Sequence, residues 1–361
     1  MNEKEDLFNE FAKKEEFTII RELGKGGFGS VKEIKLNKNN KICAAKLLDE
    51  NEIGEKEAEM IQGFKGPGIV KITKVSNYNT RYLIIMEKSM LKDLNSCINH
   101  LHKNLLNLIF YPFEKVGNNL LRFFIKNLLN GMEVLNRYNY AHFDIKPQNI
   151  LIFQRMIAKL IDFSLLRNID KLKDEQIPNT YKVLYGTHGY IPPEIYQNKA
   201  KVDKETAIKY DYFSLGATIF ALKFGDKMID PNYFFDKKDN EVEAEIIIDL
   251  LEKARDKIKS KPFPDKGFNE FLCSLIQYKS KERPDFEEIY RNKWVHKNSE
   301  EINQIFEINE LDEEKLMLEL DKSDFLLSKK EYIKNKKENF AHKNNKKINR
   351  NKFIFKKKSK K

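Results

Sequence analysis

The first third of the chain carries short runs of strand-type composition, and one of them, V-K-E-I-K-L at residues 31–36, alternates apolar and polar positions as a half-buried strand should. Beyond it, apolar positions recur at the spacing of helices. The predicted strands are residues 17–23, 31–36, 41–48, 69–75 and 81–86, with a helix over 52–64, and the long helices are 118–138 and 210–222. Strands followed by helices predict an α+β, bilobal fold: a small β-rich N-lobe with one helix and a larger, mainly α C-lobe.

Segments of different character lie outside the two predicted lobes. Residues 16–86 form the predicted N-lobe, and a hinge over 87–91 leads to the predicted C-lobe at 92–297. Residues 1–15 are charged, and we interpret them as a loosely attached lead-in. The extension 298–333 carries 11 acidic residues and 4 lysines, and its apolar positions at helical spacing predict one or two docking helices.

The carboxyl-terminal tail accounts for the basic character of the chain. The formal net charge is +11, whereas residues 334–361 alone carry 12 lysines and one arginine against one glutamate. This low-complexity composition predicts a disordered tail. An anionic partner, such as a membrane surface, nucleic acid or an import receptor, would suit it. A solvated tail without a partner remains the alternative.

Cysteine usage and the amino terminus bear on the compartment. Cys43, Cys97 and Cys273 lie far apart in sequence, which indicates neither a disulfide framework nor a metal cluster. The charged start M-N-E-K-E-D-L-F predicts no secretory signal. No apolar run reaches the roughly 18–20 residues of a membrane span. We therefore expect an intracellular protein, cytoplasmic or nuclear.

Candidate catalytic groups are densest in the run Y-A-H-F-D-I-K-P-Q-N-I-L-I and in the L-I-D-F-S that follows it. Asp144, Lys146 and Asn149 share one loop, and Asp162 comes after the next apolar run. Pro147 fixes its own φ and disfavours helix at the residue before it, so a turn is predicted. Two carboxylates, an amide and a lysine beside a hairpin suit a metal-bound polyphosphate and a hydroxyl to be activated.

A glycine-rich run, G-K-G-G-F-G-S-V, joins the first two predicted strands. A dinucleotide-binding glycine motif would instead open a helix, so a nicotinamide-type oxidoreductase is disfavoured. Glycines in a hairpin let the backbone lie over phosphates because no Cβ blocks the approach. The third strand ends its small-residue run at Lys46, and Glu57 on the following predicted helix supplies a carboxylate to hold it.

Together these segments resemble the eukaryotic protein kinase family over roughly residues 15–297, because its motifs occur in the family's order and spacing. The motifs include the glycine run, C-A-A-K, H-F-D-I-K-P-Q-N, D-F-S and G-T-H-G-Y-I-P-P-E. The resemblance implies the bilobal kinase fold. It also implies transfer of the γ-phosphoryl group of ATP, with Mg²⁺, to serine or threonine hydroxyls of protein substrates.

The resemblance further implies a nucleotide site between the lobes. Lys46 would contact the α and β phosphates and pair with Glu57, Met86 would be the gatekeeper, and Glu87 to Ser89 the hinge. The residues implied to contact ATP are Leu23, Gly24, Lys25, Gly26, Gly27, Phe28, Gly29, Val31, Ala44, Lys46, Met86, Glu87, Ser89 and Leu151.

Catalytic and metal-binding roles are implied in the same way. Asp144 would orient the substrate hydroxyl, and Lys146 would stabilise the transferring phosphoryl group. Asn149 and Asp162 would hold Mg²⁺. Thr187 is similar to the threonine of serine/threonine kinases, as is the placement of a lysine two residues after the catalytic aspartate.

Supporting roles are implied for buried residues of the large lobe. Asp211 would hold the backbone of the catalytic loop, and Glu194 would pair with Arg283. A stacked apolar column linking the lobes would consist of Ile61, Ile72, His142 and Phe163.

Two positions depart from the family pattern. H-F-D replaces H-R-D, and Phe143 cannot pair with a phosphorylated activation segment as arginine does, so we expect activity independent of such phosphorylation. D-F-S replaces D-F-G, and Ser164 has less backbone freedom than glycine. A pseudokinase scaffold therefore remains the alternative function. The physiological substrate, the subfamily and the oligomeric state are not predicted.

Overall fold

The amino-terminal part of the protein contains a five-stranded antiparallel sheet. The computed structural model describes residues 3–26, 29–48, 58, 60–89, 93–96, 118–153, 157–171, 186–196, 204–230, 244–260 and 265–297. The strands are β1 (Phe17–Gly26), β2 (Gly29–Leu36), β3 (Ile42–Leu48), β4 (Ile72–Tyr78) and β5 (Arg81–Glu87), in the order β1-β2-β3-β5-β4. The predicted strands are therefore confirmed as elements, with shifts at their ends.

The fourth strand begins at Ile72 rather than at residue 69 as predicted. The residues before it pair elsewhere, because the Val70 N–H donates to Leu160 O over 3.2 Å and the Leu160 N–H donates to Gly68 O over 2.8 Å. This apolar run therefore connects the sheet to the carboxyl-terminal part instead of extending β4.

The described carboxyl-terminal part is mainly helical, with two small two-stranded sheets. Strands β6 (Tyr140–Ala141) and β9 (Arg167–Asn168) form one pair, and β7 (Ile150–Ile152) and β8 (Ala158–Leu160) form the other. With an amino-terminal helix α1 (Glu3–Lys14), the remaining helices are α2 (Asn118–Arg137), α3 (Lys204–Phe224), α4 (Ala244–Lys259), α5 (Lys266–Leu275), α6 (Phe286–Tyr290) and α7 (Lys293–His296). The predicted α+β, bilobal fold is confirmed.

Helix α3 is the centre of the helical part. Every residue from Tyr210 to Phe224 is buried, which confirms the predicted buried helix over 210–222. One apolar cluster joins this helix to α2 and to the cleft-facing side of the sheet, with Ala44, Ile84 and Met86 among its members. The cleft between the two parts is therefore lined by a continuous core.

A buried ion pair braces the large lobe as expected. Arg283 Nη1 donates to Glu194 Oε1 over 2.7 Å, and Nη2 donates to Oε2 over 2.5 Å. The Arg283 side chain is completely buried. This bidentate geometry offsets the cost of removing both charges from water.

The interpretation of residues 1–15 as a loosely attached lead-in is wrong. Helix α1 packs on the face of the sheet that points away from the cleft, and Phe8 and Phe11 are fully buried there. Two aromatic side chains held on one face by i,i+3 spacing outweigh the charges that dominate the composition of this segment.

Several predictions fall outside the described residues. These include Gly27, Phe28, Glu57, the end of the hinge after Ser89, and the whole of the acidic extension and basic tail. None of the described helices has the length and apolar composition that crossing a bilayer would require.

Candidate active site

Three polar side chains at the cleft, Asp144, Lys146 and Thr187, are each hydrogen-bonded to the other two, and we call this trio the closed set. Lys146 Nζ donates to Asp144 Oδ2 over 2.7 Å and to Thr187 Oγ1 over 2.6 Å, and Thr187 Oγ1 donates to Asp144 Oδ1 over 2.7 Å. Asp144 and Lys146 come from one loop, whereas Thr187 lies 41 residues after Lys146. The carboxylate is buried at 5% exposure, so these hydrogen bonds fix its orientation.

Asn149 holds the same carboxylate from the other side. Its Nδ2 donates to Asp144 Oδ2 over 2.7 Å and to the Asp144 carbonyl over 2.9 Å. A short 3₁₀ turn, Pro147–Asn149, with proline at its first position, places the amide there. Asn149 is buried, and no donor among the described residues reaches its Oδ1, which leaves one amide oxygen for a ligand.

Lys46 and Asp162 meet across the cleft. Lys46 Nζ donates to Asp162 Oδ1 over 3.0 Å, and this joins β3 to the second residue after β8. Burial alone would raise the pKa of Asp162, but the Lys46 ammonium, together with His142 and a hydrogen bond from Ser164, outweighs burial and holds that pKa below its ordinary value. Asp162 adopts φ +61°, in the left-handed region. A carboxylate in this ionised state suits a cation or a metal-bound phosphate.

The backbone of the catalytic loop is anchored from α3. The Asp211 carboxylate accepts from the His142 N–H over 2.6 Å and from the Phe143 N–H over 2.9 Å, which confirms the predicted role. Phe143 has φ +62°, a conformation that bulky residues rarely adopt. Two backbone N–H groups that donate to one buried carboxylate over-determine this strained turn and fix the direction of Asp144.

Phe143 itself is part of the core. It is 2% exposed, and its ring lies 4.8 Å from that of Tyr210, centroid to centroid. The side chain at this position therefore supports the loop by packing and presents no charge to the activation segment. Sequence reasoning did not assign a role to Tyr210, although its place directly before Asp211 offered a signal.

Of the column predicted to link the lobes, the structure shows the contact between His142 and Phe163. The His142 ring lies 5.4 Å from the Phe163 ring, and Ile61 and Ile72 belong to the same apolar cluster. His142 Nε2 lies 3.1 Å from Ile161 O, and burial lowers the pKa of His142, so the neutral ring donates there. Phe64 also packs on Phe163, with 6.1 Å between the ring centres. The sequence alone did not identify this residue.

Apolar residues form the walls of the predicted nucleotide pocket. Ala44 faces Met86 in the β3–β5 pairing, and Val31 and Leu151 pack against the same cluster. Leu23 is 40% exposed at the edge of the sheet. Four of these five apolar residues are therefore buried or half-buried members of one cluster, and Leu23 is exposed.

The glycine-rich run is a hairpin, since Gly26 pairs with Gly29. Gly24, Lys25 and Gly26 continue β1, which confirms a strand–loop–strand context. Gly29 has φ +146°, and a Cβ at this position would lie 2.2 Å from the Leu47 carbonyl oxygen. Only glycine therefore allows β2 to approach β3 this closely.

The first hinge residues are tied to both parts of the protein. The Glu87 carboxylate accepts from the Lys71 N–H over 2.7 Å and from Lys159 Nζ over 2.5 Å. Ser89 Oγ donates to Ile152 O over 2.5 Å. The Glu57 partner proposed for Lys46 lies outside the described residues.

Comparisons with known proteins agree with this geometry. A model of the protein kinase domain matches residues 17–295. Serine/threonine-protein kinase ATG1 of Debaryomyces hansenii is 26% identical over 333 residues, which is 82% of this chain and 36% of that protein. A further serine/threonine-protein kinase, from Candida albicans, is 26% identical over 296 residues, which is 78% of this chain and 38% of that protein.

Serine/threonine-protein kinase MRCK alpha of Homo sapiens is 26% identical over 216 residues, which is 59% of this chain and 12% of that protein. The chain thus spans well under half the length of these three relatives. Their names give no support to a pseudokinase. The family model covers more than half of the chain, and the chain therefore belongs to the eukaryotic protein kinase family, of the serine/threonine type.

Proposed function

We propose that this protein transfers the γ-phosphoryl group of ATP to serine and threonine hydroxyls of protein substrates. The observation that carries the proposal is the closed set of Asp144, Lys146 and Thr187, with Asn149 behind it. Phosphoryl transfer needs positioning and charge neutralisation more than covalent chemistry, and this set provides an oriented acceptor beside a fixed cation.

Asp144 is the residue that receives the substrate hydroxyl in this proposal. Its two carboxylate oxygens accept hydrogen bonds from three different side chains, so the group cannot rotate freely. A hydroxyl donating to it would be aimed along a defined direction. Lys146, within hydrogen-bonding distance of the same carboxylate, would neutralise charge that develops on the transferring phosphoryl group.

The residues present fit Mg²⁺. Asn149 Oδ1 is a buried oxygen that no described donor reaches, and the Asp162 carboxylate is kept ionised beside Lys46. No group of three or more His, Cys, Asp or Glu among the described residues could hold a metal alone, and Mg²⁺ typically takes one or two protein ligands together with substrate phosphates. Asn149 and Asp162 would hold it. Bound there, the ion would neutralise the phosphate oxygens.

The adenine of ATP would lie between Val31 and Ala44 on the sheet and Leu151 on β7, beside Met86. Lys46 would bind the α and β phosphates, because its ammonium already faces the metal-site carboxylate. Gly24, Gly26 and Gly29 would let the β1–β2 hairpin lie over the phosphates, and hinge groups from Glu87 to Ser89 would hold the base.

Transfer of labelled γ-phosphate to a generic protein substrate tests the proposal directly. The wild type should label the substrate in the presence of Mg²⁺, and acid hydrolysis should release phosphoserine or phosphothreonine. Lys46→Met should abolish labelling, whereas Lys35→Met, on the neighbouring strand and exposed, should not. Phosphotyrosine as the main product, or absence of transfer by the wild type, would overturn it.

A further inference from the structure

The five-stranded sheet is apolar on both faces. Along β3, Ala44, Lys46 and Leu48 face the cleft, whereas Cys43, Ala45 and Leu47 face the opposite side. The second core on that outer face consists of Phe8, Phe11, Phe17, Ile34, Cys43, Ala45, Leu47, Leu83 and Ile85. This outer core needs its own cover, and α1 provides it.

Helix α1 covers the outer core with two phenylalanines. Phe8 and Phe11 are both 0% exposed, and the Phe11 ring makes an edge contact with Tyr78 at 5.9 Å. A two-residue turn joins the helix to β1, where the Asn37 N–H donates to Glu16 O over 3.0 Å. Because the connection is short, docking the helix on the sheet costs little conformational entropy.

Charged groups fasten the two ends of α1. Lys32 is buried on the outer face of β2, and its Nζ donates to Glu5 over 2.6 Å and lies 4.6 Å from the centre of the Phe8 ring. At the other end, Lys14 Nζ donates to Asn77 O over 2.5 Å, and Glu15 pairs with Lys74. A buried ammonium is costly unless paired, so Lys32 specifically favours the docked helix.

The outer core and the active site share one strand. Lys46 lies between Ala45 and Leu47, which are buried in the outer core. Lys46 itself points to the opposite face and contacts Asp162 at 3.0 Å. Because close-packed interiors transmit displacements, a shift of β3 in the outer core would also move the Lys46 ammonium.

We propose that α1 is a positioning element of the active site: Phe8 and Phe11 hold β3 so that Lys46 can bind the nucleotide phosphates. This rests on the proposed function, since Lys46 acts there on ATP. Phe8 and Phe11 lie on the opposite face of the sheet from Lys46, and in this proposal they act through the packed sheet that includes β3.

Kinetics of Phe8→Ala test the proposal. The KM for ATP should rise on the order of tenfold, since small misplacements of a phosphate-binding group are costly, while the KM for the protein substrate stays unchanged. Phe8→Leu should restore most of the affinity. Phe268→Ala is the matched control, because it removes a buried phenylalanine of the helical part instead of the sheet. The Phe268 ring centre lies 5.2 Å from that of Trp294, so the change opens a cavity there. It should lower the melting temperature without changing the KM for ATP.

Cys43 reports directly whether α1 is docked. It is 0% exposed in the outer core, and burial raises the pKa of its thiol, so it should react slowly with a maleimide. In a Cys97→Ser, Cys273→Ser background, Phe8→Ala should accelerate labelling of Cys43, and Phe268→Ala should not. If Phe8→Ala does not fold, Phe11→Leu gives the same comparison with a smaller cavity.

Two results would overturn the proposal. Rapid labelling of Cys43 with an unchanged KM for ATP would mean that α1 covers the sheet without positioning Lys46. Labelling at the wild-type rate in Phe8→Ala would mean that Phe8 does not hold the helix. Affinity for a fluorescent ADP analogue, measured in the same variants, reports nucleotide binding without phosphoryl transfer. Failure of the proposed function would instead appear as absence of transfer by the wild type, so the two failures can be told apart.

Discussion

Hydrogen bonds to each oxygen of the Asp144 carboxylate come from different parts of the chain. Oδ1 accepts from Thr187, and Oδ2 accepts from Lys146 and Asn149. Among the described side chains that donate to this carboxylate, only Thr187 lies beyond the D-F-S motif. At the residue scale, Thr187 therefore couples the activation segment to the catalytic loop.

Two substitutions of Thr187 distinguish the contribution of its hydroxyl group from that of its side-chain volume. Thr187→Val keeps the volume but removes both hydrogen bonds, so we expect kcat to fall about 100-fold through misplacement of Asp144 and Lys146. Thr187→Ser keeps the hydroxyl and should retain most of the activity. Steady-state kinetics on a peptide substrate measure both, and equal rates for the valine and serine variants would contradict this role.

The anchoring carboxylate of α3 predicts a pH dependence of stability. Burial raises the pKa of Asp211 to about 7, against the opposing effect of the His142 and Phe143 N–H groups. The folded state thus binds this proton more tightly than the unfolded chain does. The associated stabilisation is present in full at low pH and is lost as the pH rises through about 7.

Asp211→Asn isolates this contribution. In urea titrations between about pH 5 and 8, the stability advantage of the wild type over Asp211→Asn should shrink with rising pH and level off above the Asp211 pKa. A difference that stays constant, or one that grows toward pH 8, would show that Asp211 is ionised in the folded protein throughout this range.

At the scale of elements, the sheet and the helical part meet where a loop touches α2. Gly68 has φ +74°, and a Cβ on Gly131 of α2 would lie 2.4 Å from the Gly68 carbonyl oxygen. The neighbouring β8 residue Leu160 pairs with the same loop. The two glycines therefore allow a backbone-to-backbone contact that no other residue type permits.

Gly131→Ala tests this contact, because the sign of the change in the free energy of unfolding depends on whether the contact is present. In an exposed helix the change would stabilise by about 1 kcal/mol through helix propensity. Here the clash with backbone should dominate, and overpacking typically costs about 1–3 kcal/mol. Gly63→Ala, where the nearest atom would be 3.5 Å away, is the control and should change stability little. A Gly131→Ala variant that unfolds at higher urea than the wild type would contradict the contact.

The elements that sequence could predict are those with local signals. Strand-type composition, with alternation in β2, indicated the strands of the sheet, and Pro147 indicated the turn that places Asn149. Helix α1 was missed because its composition is charged and its partner surface is non-local. The β3 run C-A-A-K-L-L does not alternate, which is typical of a strand buried on both faces, but nothing in the run indicates which segment covers it.

Among the predicted site residues, Asn149 and Asp162 lie at the two ends of the β7–β8 hairpin, which brings them together through local pairing. The aromatic support around them was harder to predict. Tyr210 contacts Phe143, and Phe64 contacts Phe163. The two residues of each pair lie far apart in sequence, so no local pattern predicts their contact. The independence of activity from activation-segment phosphorylation stays a prediction.

On the scale of the whole molecule, charge is separated along the chain. Residues 334–361 carry 12 lysines and one arginine, directly after an extension with 11 acidic residues. We propose that the tail binds an anionic partner, because clustered basic residues displace counterions from polyanions. The kinase fold itself, by contrast, needs no such segment.

Deleting residues 334–361 should lower the salt concentration at which the protein elutes from a heparin column. Transfer to a generic substrate should not change, since the tail lies outside the part matched by the kinase family model. Identical elution of the full chain and the truncated chain would show that the tail is a solvated segment without affinity for polyanions.

Comparison of phosphoryl transfer with nucleotide binding in Asp144→Asn tests whether Asp144 orients the hydroxyl that accepts the phosphoryl group. The amide has nearly the same shape but cannot accept the hydroxyl proton, so transfer should fall about 10²–10⁴-fold. Affinity for Mg-ATP should stay at the wild-type value, because Lys46, Asn149 and Asp162 are unchanged. Transfer at the wild-type rate would contradict the account.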